Sequence, residues 1–232
     1  MSNDIFRFKQ FTIHHDRCAM KVGTDGVLLG AWGCVEGHRI LDIGTGTGLI
    51  ALMAAQRNPE AMVTGIDIDQ SAILQAQENV ATSPFSSRVE CLVQDVMTFR
   101  PNKCFDAILS NPPFFTEDTM PTDKSRALAR SNQSLPFPQL IKKVATLMAD
   151  TGTFSLIVPS GHGQEIIGLC LENNLHLIRR CQISTTSRKS PRRTMLTFAR
   201  KEAECEEHML CLIAQDGERS QEYRDLTKDF YL

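Results

Sequence analysis

One segment restricts this chain more than any other. The apolar run RILDI (Arg39–Ile43) leads straight into Gly44, Gly46 and Gly48, and GLIALMAAQ (Gly48–Gln56) follows. The first piece reads as a strand. The last is apolar on every side and reads as a buried helix. Between them lies the spacing D-x-G-x-G-x-G, starting at Asp42. Glycines there let the backbone turn sharply and approach a ligand with no Cβ in the way, and a helix N-terminus opens at the same place. A strand, a tight turn and a buried helix in this order require a layered α/β fold.

The rest of the chain keeps that rhythm. Strand-like runs at 61–67, 88–93, 105–110, 153–159 and 175–184 alternate with helical stretches at 69–80, 136–148 and 162–174. Asp69 or Ser71 is placed to cap the first of these helices. Such alternation predicts a mostly parallel sheet with helices on both faces. The runs at 194–200 and 208–215 have no helix between them and predict an antiparallel segment at the sheet's C-terminal edge. SQEYRDLTKDFYL at the end fits a short amphipathic helix closing on aromatics. FRFKQFTI near the start alternates like an edge strand or hairpin, and Gly23–Trp32 reads as a helix start. Residues 1–33 are therefore expected to be an N-terminal extension, too short for a core of its own. Residues 34–232 are expected to form the α/β core of the same single domain.

Composition removes several classes. Hydrophobic residues make up 42% and charged residues 22%, so the chain is globular and not disordered. Apolar runs fall short of the ~20 residues that cross a bilayer, and the N-terminus lacks the apolar core of a signal peptide, so a cytoplasmic protein with no membrane partner is expected. The balance of 25 Lys+Arg against 27 Asp+Glu excludes a uniformly basic nucleic-acid coat but allows a local patch. Eight irregularly spaced Cys, with no Cys-x-x-Cys pair, suggest reduced thiols serving mostly as small core residues, and no metal.

The glycine loop itself discriminates between ligands. A dinucleotide fingerprint needs its third glycine at the position of Leu49, so that match fails. Asp42 beside the loop opposes a pyrophosphate and suits a ligand carrying an ammonium and a sulfonium. Asp67 ends the second strand about 20 residues beyond the loop, where a carboxylate can accept both hydroxyls of a ribose. Ile68 can lie on a purine face, and Asp95 after the third strand can accept from an adenine amine. Taken singly, each carboxylate reads equally well as a solvated strand end or helix cap.

The fourth strand ends in Asn111-Pro112-Pro113-Phe114. Two prolines end ladder pairing and stiffen the backbone, and Pro112 holds Asn111 extended. The Asn111 side-chain oxygen and the Pro112 carbonyl are then two neutral acceptors suited to the two N–H groups of an exocyclic amine. Held rigidly, they favour a pyramidal nitrogen and support the positive charge that grows during attack. Phe114 offers a face for a splayed-out base. A rigid turn with two buried Phe is the plainer reading of the same residues. Two basic stretches are candidate phosphate contacts: Lys124, Arg126 and Arg130 after the corner, and Arg188, Lys189, Arg192 and Arg193 in SRKSPRR. Either also reads as a solvated charged loop.

These motifs together resemble class I S-adenosylmethionine-dependent methyltransferases with an N-P-P-[FYW] amine motif. Phe8–Trp32, LDIGTGTGLIALMAAQ, SNPPF and the terminal LTKDFYL are closer still to the bacterial tRNA1(Val) (adenine-37-N6)-methyltransferases. The resemblance implies a Rossmann-like sheet, S-adenosylmethionine as cofactor, and tRNA as substrate. It places the cofactor's methionine end on Gly44, Thr45, Gly46 and Gly48, near Thr24. It places the ribose on Asp67 and the cofactor adenine on Asp95 and Val96. The target amine falls on Asn111 and Pro112, and the target base on Phe114. A monomer is compatible with the short chain. Glutamine-amide methyltransferases carry N-P-P-Y, but usually with a helical domain before the catalytic one. Other nucleic-acid amine methyltransferases, or an RNA-binding module without catalysis, are further alternatives.

Overall fold

The computed structural model describes residues 4–18, 21–112 and 136–232. A two-stranded hairpin opens the chain, β1 (Ile5–Arg7) pairing antiparallel with β2 (Thr12–His14). Helix α1 (Thr24–Trp32) follows, then β3 (Arg39–Ile43), α2 (Leu49–Arg57), β4 (Met62–Asp67), α3 (Gln70–Ala81), β5 (Val89–Val93) and β6 (Phe105–Ser110). The second half holds α4 (Phe137–Leu147), β7 (Met148–Pro159), α5 (Gly163–Glu172), β8 (His176–Thr186), β9 (Arg193–Ala199), β10 (Glu206–Ile213) and α6 (Gln221–Thr227).

Eight strands form one sheet in the order β10-β8-β9-β7-β6-β3-β4-β5. The run from β7 to β5 is parallel throughout. The antiparallel segment expected on the C-terminal side is present and is carried by β9, which runs against both β7 and β8. Strand β10 lies outside β8 and pairs with it in parallel. The reversed strand is thus second-neighbour to the rim, an arrangement that periodicity does not encode.

Two apolar clusters fill the layers on either side of the sheet. One joins α1, α2, α3 and the hairpin, with Leu28, Leu52, Met53 and Ile73 almost fully enclosed. The other lies under α4 and α5, around Phe154, Phe198, Ile141 and Ile166. At about 25 cal/mol per Å² this burial is the main force closing the fold. The N-terminal hairpin has no core of its own, as its length predicts. Phe8, Phe11 and Ile13 sink into the first cluster, and the Lys9 amide donates to the Phe230 carbonyl at 2.8 Å. That bond ties the two ends of the chain together. Ser220 caps α6 through the Tyr223 amide, and the aromatic ending packs inward with Tyr223 and Phe230 buried.

The cysteines depart from expectation. All eight are free thiols, but only Cys91, Cys170 and Cys181 are buried; Cys104 is exposed and the rest are half-buried. Burial pushes the Cys181 thiol up to about 11 and Cys91 to about 12, so both stay protonated and inert. Among the described residues no helix is long and apolar enough to cross a membrane, and no cluster of His, Cys, Asp and Glu could hold a metal.

Candidate active site

In an open α/β sheet ligands bind at the carboxyl ends of the strands, where the strand order reverses. Here the chain runs outward from β3 to β4 and β5, then returns to place β6 on the other side of β3. The glycine loop leaves β3 and the Asn111 corner leaves β6, so the two motifs flank the reversal point. The Ser110 hydroxyl joins them, donating to the Ile43 carbonyl at 3.0 Å.

Gly44, Gly46 and Gly48 all take left-handed backbone, with φ of 74°, 53° and 82°. A side chain at any of them would be strained. The loop's donors are spent internally. The Gly44 and Thr45 amides both donate to the Ile66 carbonyl, at 2.9 and 3.0 Å. The Gly46 amide donates to Asp67 Oδ2 at 3.0 Å. A phosphate cradle needs those N–H groups pointing outward, so the loop is built for something other than a pyrophosphate. That agrees with the missing third glycine.

Asp42 lies beneath the loop. Its carboxylate is fully enclosed and accepts the Thr45 hydroxyl at 2.6 Å. Burial, reinforced by the nearby Asp67 charge, pushes it up to about 7 against the Thr45 bond. Through Oδ2 the group therefore props the loop from beneath, while its buried Oδ1 has no hydrogen-bond partner among the described residues. The reason is steric: Thr45 closes over it, seated against Gly65, where a Cβ would come within 2.6 Å of the Thr45 hydroxyl.

The next two strand ends carry Asp67 and Asp95. Asp67 is half-buried, and its Oδ1 accepts the Asp69 amide at 3.0 Å. Ile68 beside it is 53% exposed, an unusual position for an isoleucine and a ready platform for a flat ring. Asp95 is exposed and shapes its own turn, accepting the Met97 amide at 2.8 Å, while Val96 is buried in the second core. Lys143 of α4, itself buried, fastens this turn through the Phe99 carbonyl at 2.6 Å. An apolar shelf, a half-buried carboxylate and a loop whose Gly44, Thr45 and Gly46 amides are spent internally make a site whose chemistry fits an adenosine bearing a cationic tail.

Asn111 is half-buried and Pro112 is buried at the end of β6. Helix α1 comes up against this corner, for a Cβ on Gly26 would lie 3.1 Å from Leu49 and 4.0 Å from the Asn111 amide nitrogen. Thr24 is exposed at the first turn of the same helix. Phe114, Lys124, Arg126 and Arg130 lie outside the described residues. The turn between β8 and β9 carries Arg188, Lys189 and Arg192, all exposed. It leaves the sheet on the same edge as the glycine loop, because Arg193 pairs in register with Pro159 at the end of β7. Arg193 differs from its neighbours. Its guanidinium lies 2.8 Å from Asp25 of α1 and braces the helix start, so its charge is already matched.

The sequence reading passes over a second set of contacts. Asn79 and Gln75 of α3 are fully buried amides. Asn79 donates to the Thr47 carbonyl of the glycine loop at 2.9 Å and to the His14 carbonyl at 3.0 Å, and accepts the His14 amide. Gln75 donates to Asp16 and accepts the Arg17 amide. The N-terminal segment is thereby fastened beside the loop. Cys18 would stand 3.8 Å from a Cβ on Gly46. The available signal is two amides one helical turn apart on the apolar face of α3. His15 is structural: it is buried and its Nδ1 accepts the Val22 amide.

Comparison with known proteins agrees with this geometry. Residues 24–136 match the family described as "Methyltransferase small domain". The chain is 45% identical to a tRNA1(Val) (adenine(37)-N6)-methyltransferase from Bacteroides thetaiotaomicron, over 100% of this chain and 99% of that protein. Among solved structures, a protein from Agrobacterium tumefaciens described as a predicted O-methyltransferase superposes with a TM-score of 0.69, covering 89% of this chain and 96% of that one at 21% identity. A glycopeptide N-methyltransferase complexed with S-adenosylmethionine gives 0.55, covering 78% and 90% at 10% identity. The two structural likenesses speak for the fold.

Proposed function

This chain belongs to the family of the tRNA1(Val) (adenine(37)-N6)-methyltransferases, and from that premise we propose that it methylates the N6 amine of adenine 37 in a tRNA, using S-adenosylmethionine. The observation that carries the reading is the pairing of the glycine loop with the Asn111-Pro112 corner across the point where the strand order reverses, joined by Ser110.

When bound, the cofactor supplies an electrophilic methyl group on a sulfonium. The protein's part is to hold and orient. Asp67 would take the ribose hydroxyls, Ile68 one face of the cofactor adenine, and Asp95 with Val96 its edge. The Gly44–Gly48 loop, propped by Asp42 and Thr45, would border the methionine end. Thr24 opens the helix whose Gly26 borders Asn111. Asn111 and Pro112 would accept both N–H groups of the target amine. An aryl amine is a weak nucleophile because its lone pair is delocalised into the ring. Two fixed acceptors favour the pyramidal nitrogen that attacks, and they stabilise the charge it gains. Holding nitrogen and methyl in line supplies much of the remaining rate. Phe114 would stack on the extruded base. Arg188, Lys189 and Arg192 would hold phosphates without reading sequence. A single-domain, monomeric, cytoplasmic enzyme without a metal is part of the same proposal.

The test incubates the protein with methyl-labelled cofactor and total cellular RNA, then identifies the labelled nucleoside by mass spectrometry. N6-methyladenosine in tRNA is the expected product. Label recovered only in protein would overturn the reading in favour of glutamine-amide methylation. Failure to bind cofactor at millimolar concentration would leave an inert RNA-binding module.

A further inference from the structure

A hollow of about 360 Å³ opens at the carboxyl ends of β8 and β10, at the start of α1. Its walls include Thr24 of α1, Thr185 of β8, Leu212 of β10, Phe6 of the hairpin, and Arg219 with Tyr231 from the C-terminal segment. The geometry points to a second base-binding subsite: we propose that this hollow receives one unstacked nucleobase adjacent to the target adenine. The proposal rests on the reading of the chain as an RNA adenine methyltransferase.

Size comes first. The volume exceeds what one purine ring system occupies, and the lining is mainly apolar and aromatic, the surroundings that bases leave a stack to enter. Charge is the second point. Arg219 is exposed and its guanidinium lies 4.4 Å from the centre of the Tyr231 ring, so a cation stands fixed at the rim. Tyr223 and Tyr231 join through their hydroxyls at 3.1 Å, which stiffens that wall. A base edge would meet hydrogen-bonding groups from Arg219, Thr24 and Thr185.

Continuity decides between a base and any other flat molecule. Thr24 is two residues before Gly26, which borders Asn111. At 1.5 Å of helix rise per residue the two positions lie about 3 Å apart along the axis and on opposite sides of α1, so the start of this helix stands between the hollow and the target corner. On the opposite side Thr185 leads within three residues to Arg188, the first basic side chain of the β8–β9 turn. A strand held by that turn, with its adenine at Asn111, passes the mouth of the hollow. Of the residues assigned to the cofactor and to the target amine, Thr24 alone lines this space.

The test uses the full-length protein and an RNA stem-loop containing the target adenine, alongside stem-loops abasic at either neighbouring nucleotide. With wild-type protein one of the two abasic RNAs should bind about tenfold more weakly, the scale of losing one stacked base. Thr185→Trp fills the hollow from an exposed wall, and Arg219→Glu reverses the rim charge. Each should weaken the intact RNA about tenfold, leave cofactor affinity unchanged by titration calorimetry, and abolish the difference between intact and abasic RNA. Equal binding of all three RNAs by the wild type would overturn the proposal. So would variants that preserve the abasic penalty. Should one variant fail to fold, the wild-type abasic comparison and the other variant still decide. If the intact stem-loop receives no methyl group at all, it is the parent reading that fails; normal methylation with no abasic penalty rejects the subsite alone.

Discussion

The carboxyl edge of the sheet is built in two contrasting halves. Around β4, β3 and β6 the polar groups are enclosed and committed: Asp42 to Thr45, Asn79 to Thr47, Ser110 to Ile43, and the Gly46 amide to Asp67. Around β9, β8 and β10 the same edge carries exposed Arg188, Lys189 and Arg192 on a turn, beside an open aromatic hollow. The first half holds its groups through internal hydrogen bonds, the kind of fixed geometry that methyl transfer needs. The second offers charge with little fixed geometry, which is what a polyanion needs. Arg193 belongs to the second half by sequence and to the first by structure, since Asp25 holds it.

If this division is right, damage to the first half should stop chemistry or destabilise the fold, and damage to the second should weaken RNA alone. The largest effect is expected from Asn111→Ala, with turnover falling about 10³-fold or more. Calorimetric affinity for S-adenosylmethionine should stay within twofold. Undiminished turnover would remove the catalytic role given to the corner.

Next comes Asp42→Asn, read as stability against pH. Burial raises the folded-state value to about 7, above its unfolded value near 4. Between those limits the unfolded chain gives up its proton first, so wild-type stability should fall as pH rises from about 4 to 7 and then level off. The Asn variant loses that slope. Their difference, measured by denaturant unfolding at several pH values, should grow to roughly 2–4 kcal/mol by neutral pH. Parallel stability curves would show that Asp42 is not enclosed as described.

Asp67→Ala should weaken cofactor binding by about 30-fold, because the ribose loses its acceptor and the Gly46 amide its partner. Melting temperature should change little, since the side chain is half-exposed. The smallest effect is assigned to the basic turn. Replacing Arg188, Lys189 and Arg192 together by Ala should lower RNA affinity by about tenfold near 0.15 M salt. The slope of log affinity against log salt should fall by about two to three, with cofactor binding untouched. An unchanged slope would place the phosphate contacts elsewhere.

Much of the first half is legible in the residues themselves. Helix α2 begins where the third glycine ends, and the predicted strand at 39–43 coincides with β3. Asp69 caps α3 through the Ser71 and Ala72 amides, as its type and place suggest. Local chemistry suffices there, because a turn, a cap and an apolar period are each written within a few residues. The direction of Asp42 is different. A carboxylate before a glycine loop reads as ligand-facing until Gly65, from the neighbouring strand, lets Thr45 close over it.

By itself, then, the sequence determined the alternation of strands and helices, the glycine turn and the family these motifs resemble. All are short-range patterns of side-chain type and spacing. Only the tertiary structure decided that β10 runs parallel beyond β8, that Asn79 and Gln75 moor the N-terminal segment beside the loop, and that Arg193 is held while its neighbours are exposed. Each of these joins residues far apart in the chain. Their pairing follows from how whole layers pack and which polar groups that packing leaves in need of a partner.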